Sequence, residues 1–454
     1  MKPSVDLTPV DLMIDARWLC PANANSLSTD KVLEHQSVVI QSGKIIDISA
    51  SALADSRYLP NERVSLNEHI LIPGLINLHT HAAMSLMRGL ADDLPLMPWL
   101  EKHIWPAEQQ FVSPKFVHDG ALLACAEMLS GGITTFNDMY FYPQATAKAA
   151  TQAGLRANLG LVVLEFPSAY ASDAEDYLLK GGEAHDSWRN NKLISSSIAP
   201  HAPYTVSNKT FENIVTVAEQ LGLGIHTHLH ETQAEIAHSV AQFGVRPLKR
   251  MADLGLLGPN LVAAHCTHLL PHEIEMLSEH GCHIAHCPSS NLKLASGIAP
   301  LALMFAKNIN VGLGTDSAAS NNRLDIFAEM RLSALLAKGM TGDASVVPAH
   351  QALAMATINA AKALGMDDKI GSIEVGKFAD LVAVKLSDIV ISPCYDPISH
   401  LVYACGREHV THTWVAGELR YSHGIYANIE PYELKEIINT WQPKLGQLKA
   451  ENSN

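Results

Sequence analysis

Between His69 and Met366 the chain repeats one rhythm: a short apolar run, a polar loop, then an amphipathic segment of helix length. The apolar runs read ILIPGLINLHTH, GITTFNDM, LRANLGLVVL, LISSSIAPH, GIHTHLHE, LVAAHCTH, CHIAHCPSSN and INVGLGTDS. The segments between them include PKFVHDGALLACAEMLSG, KTFENIVTVAEQLG and PHEIEMLSEHG, each closing on Gly, the residue that best tolerates a left-handed helix cap. Strands alternating with helices predict a parallel sheet. Eight such units in about 300 residues predict an α/β fold, a (β/α)8 barrel of the TIM type.

The flanks carry a different pattern. Residues 1–70 contain VVIQSGKIIDISA, and residues 370–422 contain FADLVAVKL and VTHTWVAGELRYS. These read as alternating strands with turn residues and no intervening helices, which predicts one small β-sandwich assembled from both chain ends. The expected organisation is therefore a sandwich from 1–70 and 367–428, a barrel over 71–366, and a C-terminal helical tail over 429–454.

Composition narrows the function classes. With 454 residues and 47% hydrophobic against 17% charged positions, the chain can bury a large core. Its net charge is -14, and Lys and Arg form no cluster, so nucleic acid is not an expected partner. Seven cysteines without a C-x-x-C pair predict reduced thiols in a cytoplasmic protein. Cys282 and Cys287 bracket His283 and His286, but no second pair completes a zinc knuckle, so packing on a buried strand is the expectation. The opening MKPSVDLTPVDLMIDARW has no apolar core ending in a cleavage site, and no stretch approaches a membrane span. We expect a homo-oligomer, dimer or tetramer.

In a barrel of this kind, chemistry gathers at the C-terminal ends of the strands. Those ends carry His79, His81, Asp138, His201, His228 with Glu231, His265, His286 and Asp316. His79-Thr80-His81 places two imidazoles on one face of an extended chain, since side chains at i and i+2 point the same way. A third imidazole from the strand HTHLHE and the carboxylate of Asp316 would complete a site suited to zinc, with iron as the alternative. A cation there makes hydroxide available at neutral pH. His226, His228 and His230 share one parity, so spacing does not choose among them. Glu231, just past that strand, is placed to move protons, or else simply caps the next helix. His265 could orient the hydroxide, while His268 reads as loop surface. Asp138 and His286 fit either a supporting hydrogen bond or a satisfied core position. His118, His238, His272 and His350 read as helix or loop surface.

The arrangement resembles the amidohydrolase superfamily, and within it the branch of methylthioadenosine/S-adenosylhomocysteine deaminases. The matching motifs run through nearly the whole chain: PGLINLHTHAAMSLMRG, WPAE, APHAPYTVS, HTHLHET, AAHCTHL, PSSNLKLASGIAP, LGTDSAASNN and GSIEVGKFADLVAV. The resemblance implies one zinc per chain on His79, His81, His228 and Asp316, with Glu231 as proton shuttle and His265 assisting the hydroxide. Asp316 and Glu231 thereby also face the substrate. It further implies that Glu108 binds ribose hydroxyls, that His201 binds substrate, and that Trp99 is an apolar residue of a lid. The implied reaction converts the 6-amino group of an adenosine-type nucleoside to the inosine analogue and ammonia. One departure bears on the substrate: GLRANLGLVVLEFPSAY offers only Arg156, at the strand's start, to pair with a homocysteine carboxylate. The segment from Phe166 to Lys180 reads as a loop from which Lys180, or Arg189 beyond it, could fold back. A 5'-thioether or 5'-deoxy nucleoside fits better.

Two rival readings share the scaffold. An s-triazine amino- or chlorohydrolase keeps most of the sequence, whereas a metal-free structural scaffold predicts lost ligands, and none is missing. A dihydroorotase-like enzyme needs a metal-bridging lysine, which NLGLVVLEF and ISSSIAPH lack.

Overall fold

The computed structural model describes residues 7–22 and 32–451, so residues 1–6 of the opening segment and the last three of the tail lie outside the described residues. Eight short strands follow one another in chain order: β5 (Leu75–Thr80), β6 (Ile133–Tyr140), β7 (Arg156–Val163), β8 (Ile194–Pro200), β9 (Gly224–Leu229), β10 (Leu261–His265), β11 (His283–His286) and β12 (Asn310–Leu313). They form a single sheet in sequence order, and every ladder in it is parallel. β5, β6 and β7 are buried at every position, as expected of strands covered by helices outside and by the barrel interior within. The ring closes between β12 and β5 without a ladder. Asn77 accepts from the Thr315 backbone N–H at 2.9 Å and donates to Thr315 Oγ1 at 2.8 Å, while the Asp316 N–H donates to the His79 carbonyl at 2.9 Å. Gly314 permits that approach, because a Cβ there would stand 2.8 Å from the His79 backbone nitrogen.

The helices start where side chains can cap them. Ser113, Ser207, Thr232 and Asp325 each accept a backbone N–H from the first turn of the helix that follows. Asn208–Leu221 ends on Gly222, whose φ of +64° is the left-handed cap its sequence promised. The stretch expected to be loop up to Lys180 is shorter than that. Asp173 accepts the Asp176 N–H at 3.0 Å and starts a helix at Ala174–Ser187, so the loop ends there.

Both chain ends meet in a second sheet. Its strands are β1 (Thr8–Leu19), β2 (Leu33–Gln41), β3 (Lys44–Ala50), β4 (Tyr58–Pro73), β13 (Leu381–Lys385), β14 (Val410–Val415), β15 (Glu418–Ser422) and β16 (Ile425–Tyr426). They form one hydrogen-bonded ladder in the order β16-β15-β14-β13-β4-β1-β2-β3, folded over Leu12, Ile14, Val38, Ile40, Leu381 and Trp414. The C-terminal flank is not free of helix. Asp396 accepts two backbone N–H groups and starts Pro397–Tyr403, a local cap that an alternating-strand pattern does not reveal. The final helix, Pro431–Glu451, docks through Trp441, which donates to Asp119 Oδ2 at 2.8 Å and packs edge-on against Phe116. Among the described residues no helix is long and apolar enough to cross a membrane.

Candidate metal and substrate site

Parallel strands deliver their C-terminal ends to one rim, and the histidines collect there. His79 is fully buried, with its Nε2 3.4 Å from Asp316 Oδ1, and His81 Nε2 stands 3.2 Å from the same oxygen. His228 Nε2 faces His81 Nε2 across 3.3 Å. Ligand atoms of His79, His81 and Asp316 lie within 4.8 Å of one another, as do those of His79, His228 and His265. His79 Nε2 is a buried nitrogen without a hydrogen-bond partner, and the His81 and His228 Nε2 atoms turn toward the same space. A cation between these groups satisfies all of them at once, so the donor set fits zinc.

The ligand atoms are held from behind. His81 Nδ1 donates to the Met139 carbonyl at 2.5 Å and His228 Nδ1 to the His201 carbonyl at 2.6 Å, which fixes both rings. Asp316 Oδ2 accepts from Ser290 Oγ at 2.6 Å and Ser320 Oγ at 2.9 Å, and its Oδ1 accepts from the Ser317 N–H at 2.7 Å. The backbone of His230, His265 and Asp316 adopts positive φ, a costly conformation that turns side chains at the ends of these strands. Burial holds His228 and His226 well below the usual imidazole range, His201 at about 3 and His79 at about 4, although Asp316 opposes the last. Neutral imidazole is the form that binds metal. At His81 burial also pulls downward, but the Asp316 carboxylate outweighs it and lifts the ring to about 9.

Above the histidines lies a partly open cavity. His81, His201, His228, Glu231, His265 and Asp316 line its floor, and Trp99 and Glu108 line its wall, so the singled-out residues converge there, with His79 buried below. Glu231 follows β9. Glu235 accepts the His230 and Glu231 N–H groups at 2.9 and 2.7 Å, and Ser296 Oγ donates to Glu231 Oε1 at 3.2 Å. Burial raises the Glu231 carboxyl above its ordinary range. His265 donates from Nδ1 to Asn291 Oδ1 at 2.8 Å, which leaves Nε2 as an acceptor 3.8 Å from Glu231 Oε2. Glu108 accepts from the Tyr140 hydroxyl at 2.8 Å, and burial lifts it to about 7. Trp99 donates to the Ala91 carbonyl at 3.2 Å, pinning the segment that follows β5.

Several neighbouring groups stand elsewhere. His230 turns away and accepts the Leu248 N–H, while His226 lies beneath His79 rather than beside Asp316. Asp138 accepts the Ala82 N–H at 2.7 Å, holding the chain just after His81, and burial raises it to about 6. His286 lines a different cavity, with Ala299, Leu301 and Ser333. Arg156 is paired with Asp380, Lys180 with Asp176 and Arg189 with Asp186, and among the described residues no Lys or Arg lines the cavity. The cysteines are unpaired, and His283 hydrogen-bonds Asn310 and the Pro259 carbonyl instead of forming a knuckle. Tyr140, Tyr204, Phe166, Ser290, Asn291 and Glu235 were not singled out from sequence. Ser290 and Asn291 sit inside the quoted PSSN motif, but their partners could not be read from it.

Comparison with known proteins agrees with this geometry. The Amidohydrolase family model matches residues 70–420. A 5-methylthioadenosine/S-adenosylhomocysteine deaminase of Saccharophagus degradans is 46% identical over 98% of this chain and 98% of its own. The crystal structure of an adenosine deaminase from Xanthomonas campestris with bound zinc is 44% identical, with a TM-score of 0.94, covering 97% of this chain and all of that one. An atrazine chlorohydrolase of Arthrobacter aurescens, at 21% identity and a TM-score of 0.85 over 96% of this chain and all of its own, shares the fold. With the family model matched from the end of β4 to β15 and the donor set at the barrel rim, the chain belongs to the amidohydrolase family.

Proposed function

We propose that this protein is a metal-dependent hydrolytic deaminase of adenosine-type nucleosides with a neutral 5' substituent. The observation that carries the reading is that the ligand atoms of His79, His81 and Asp316 lie within 4.8 Å of one another, as do those of His79, His228 and His265, with Glu231 lining the same cavity. We assign those four as ligands of one zinc per chain. When bound, zinc supplies a Lewis acid that makes water nucleophilic at neutral pH.

Each surrounding residue has a role that its contacts support. His265, whose Nδ1 donates to Asn291, accepts a proton from the attacking water at Nε2. Glu231, raised by burial, donates to the purine ring nitrogen as the C6–O bond forms. Glu231 then takes the remaining proton from the hydroxyl at C6 and passes it to the leaving amine as the C6–N bond breaks and the C6 carbonyl forms, and ammonia departs. Asp316, held by three donors, stays ionised. Its carboxyl lies well below the ordinary range, because the contacts with His79 and His81 outweigh the burial that would raise it. Glu108, with one oxygen on Tyr140, offers the other to the ribose hydroxyls. His201 packs on His228 with ring centroids 4.8 Å apart and borders the base.

We place the 5' end against the apolar wall that includes Leu164, Phe166 and Tyr204, where among the described residues no cation lines the cavity. We therefore expect kcat/KM for 5'-methylthioadenosine and 5'-deoxyadenosine to exceed that for S-adenosylhomocysteine, whose carboxylate would lie unpaired. Adenine and melamine, lacking a ribose diol, should be poor substrates, since a site built for such hydrogen bonds rejects analogues without them by up to about 10⁴. Ammonia release measured across these compounds decides it. A preference for melamine would replace the nucleoside reading by the triazine one.

A further inference from the structure

Of the three imidazoles that face the shared point, two have their outer nitrogen on a main-chain carbonyl, at Met139 and at His201. A carbonyl only accepts, so those rings carry their proton on Nδ1 and present the Nε2 lone pair. His79 has no such partner. Its Nδ1 lies 2.9 Å from His226 Nε2, and both rings are buried. For His79 to offer Nε2 to a cation, its Nδ1 must hold the proton, and His226 Nε2 is the acceptor in place.

Beneath His226 the polar groups continue. Asn137 Nδ2 stands 3.2 Å from His226 Nδ1 and donates to the Leu78 carbonyl at 2.9 Å. Asn158 Nδ2 donates to Asn137 Oδ1 at 2.8 Å and to Ser197 Oγ at 3.0 Å. Strands β6, β7, β8 and β9 thus build a column of amides, hydroxyl and imidazole in a barrel interior that branched apolar side chains ordinarily fill. Buried amides are costly unless paired, and Asn137 and Asn158 are paired to each other, to the Leu78 carbonyl and to Ser197.

We propose that His226 is a positioning residue for the metal centre, orienting His79 through this hydrogen bond. The inference rests on the assignment of His79 as a ligand. A nonpolar residue at 226 would keep the ring volume but leave His79 Nδ1 without an acceptor.

The experiment is chelator competition on zinc-loaded protein, reading the zinc dissociation constant, together with the melting temperature of the zinc-stripped protein. H226L should bind zinc about 10–100-fold more weakly, the usual effect of losing such a support. H226Q places an amide where Nε2 stood and should recover most of that loss. Parental zinc affinity in H226L overturns the proposal, as does an equal loss in H226L and H226Q, since then volume rather than the hydrogen bond matters. A purely structural role would lower the melting temperature of the stripped protein and leave the zinc constant unmoved. If H226L does not fold, H226A, which also removes the acceptor, carries the test beside H226Q, and parental zinc affinity in H226A overturns the proposal. H79A separates the two levels: if it keeps zinc, the ligand assignment itself fails, whereas loss in H79A with parental H226L sinks only the role of His226.

Discussion

His79, His81 and His228 at the barrel rim and His69, His412 and His423 on the flanking sheet are both groups of three histidines, and they are built to different ends. In the barrel a carboxylate oxygen stands 3.4 and 3.2 Å from two of the rings, and the third faces its neighbour nitrogen to nitrogen. In the sheet, His412 stacks on Trp414 at 5.2 Å and meets His423 edge-on at 4.7 Å, while His69 lies 6.4 Å away with both nitrogens buried and unpartnered. The nearby charges are engaged elsewhere, Lys385 with Asp388 and Glu68 with Ser387. Topology explains the contrast. Parallel strands send every C-terminal end to one rim, so side chains from β5, β9 and β12 can aim at a single point. Neighbouring strands of a sheet set their side chains side by side on a face, where rings touch but their nitrogens do not converge. The number of histidines therefore does not make a metal site; convergence on a carboxylate does.

The sharpest break in that comparison is removal of one imidazole from each group. H228A should lose most of its zinc by elemental analysis, and deamination should fall to background, while H412Q keeps full zinc content. Full occupancy in H228A would take His228 out of the ligand set. Next in size is E231Q, which leaves the ligands intact and should retain zinc while kcat falls about 10²–10⁴-fold. Near-parental turnover there would move proton transfer to Asp316 or His265. At the cavity wall, farther from the cation, Y140F removes one hydrogen bond from Glu108. A bond worth about 1 kcal/mol predicts roughly a fivefold rise in KM for a nucleoside with kcat nearly unchanged, and an unchanged KM would remove Glu108 from ribose binding.

The smallest effect belongs to the sheet. Burial holds His69 and His412 down at about 4, against 6.5 in the unfolded chain. Between those values the unfolded chain takes up protons that the folded sheet refuses, so stability is full above pH 6.5 and declines as the pH falls toward 4. Both rings keep partial contact with solvent, and we expect H412Q to flatten the acid decline in melting temperature by only about 1–3 °C. Measured on the zinc-stripped protein, an acid slope identical to the parent's would show that this cluster does not titrate with folding.

The order of strands, their parallel pairing and the rim that gathers the histidines were all legible in the chain. An alternation of apolar run and amphipathic segment leaves few topologies open, and His79-Thr80-His81 and Asp316 announce themselves at strand ends. Local pattern could not choose among His226, His228 and His230, because parity in a strand is the same for all three. The tertiary structure separates them: His228 faces His81, His230 leaves the strand at positive φ, and His226 drops one layer below. The same limit hid Tyr140, Ser290, Asn291 and Glu235, whose partners are 32, 26, 26 and 4 or 5 residues away. It also hid the helix at Pro397–Tyr403, which a capping Asp396 starts inside a run of strands. Sequence determined which groups exist and on which end of the barrel they lie, because backbone periodicity is local. Only the closed barrel decided which nitrogens and oxygens meet, because that depends on contacts between strands far apart in the chain.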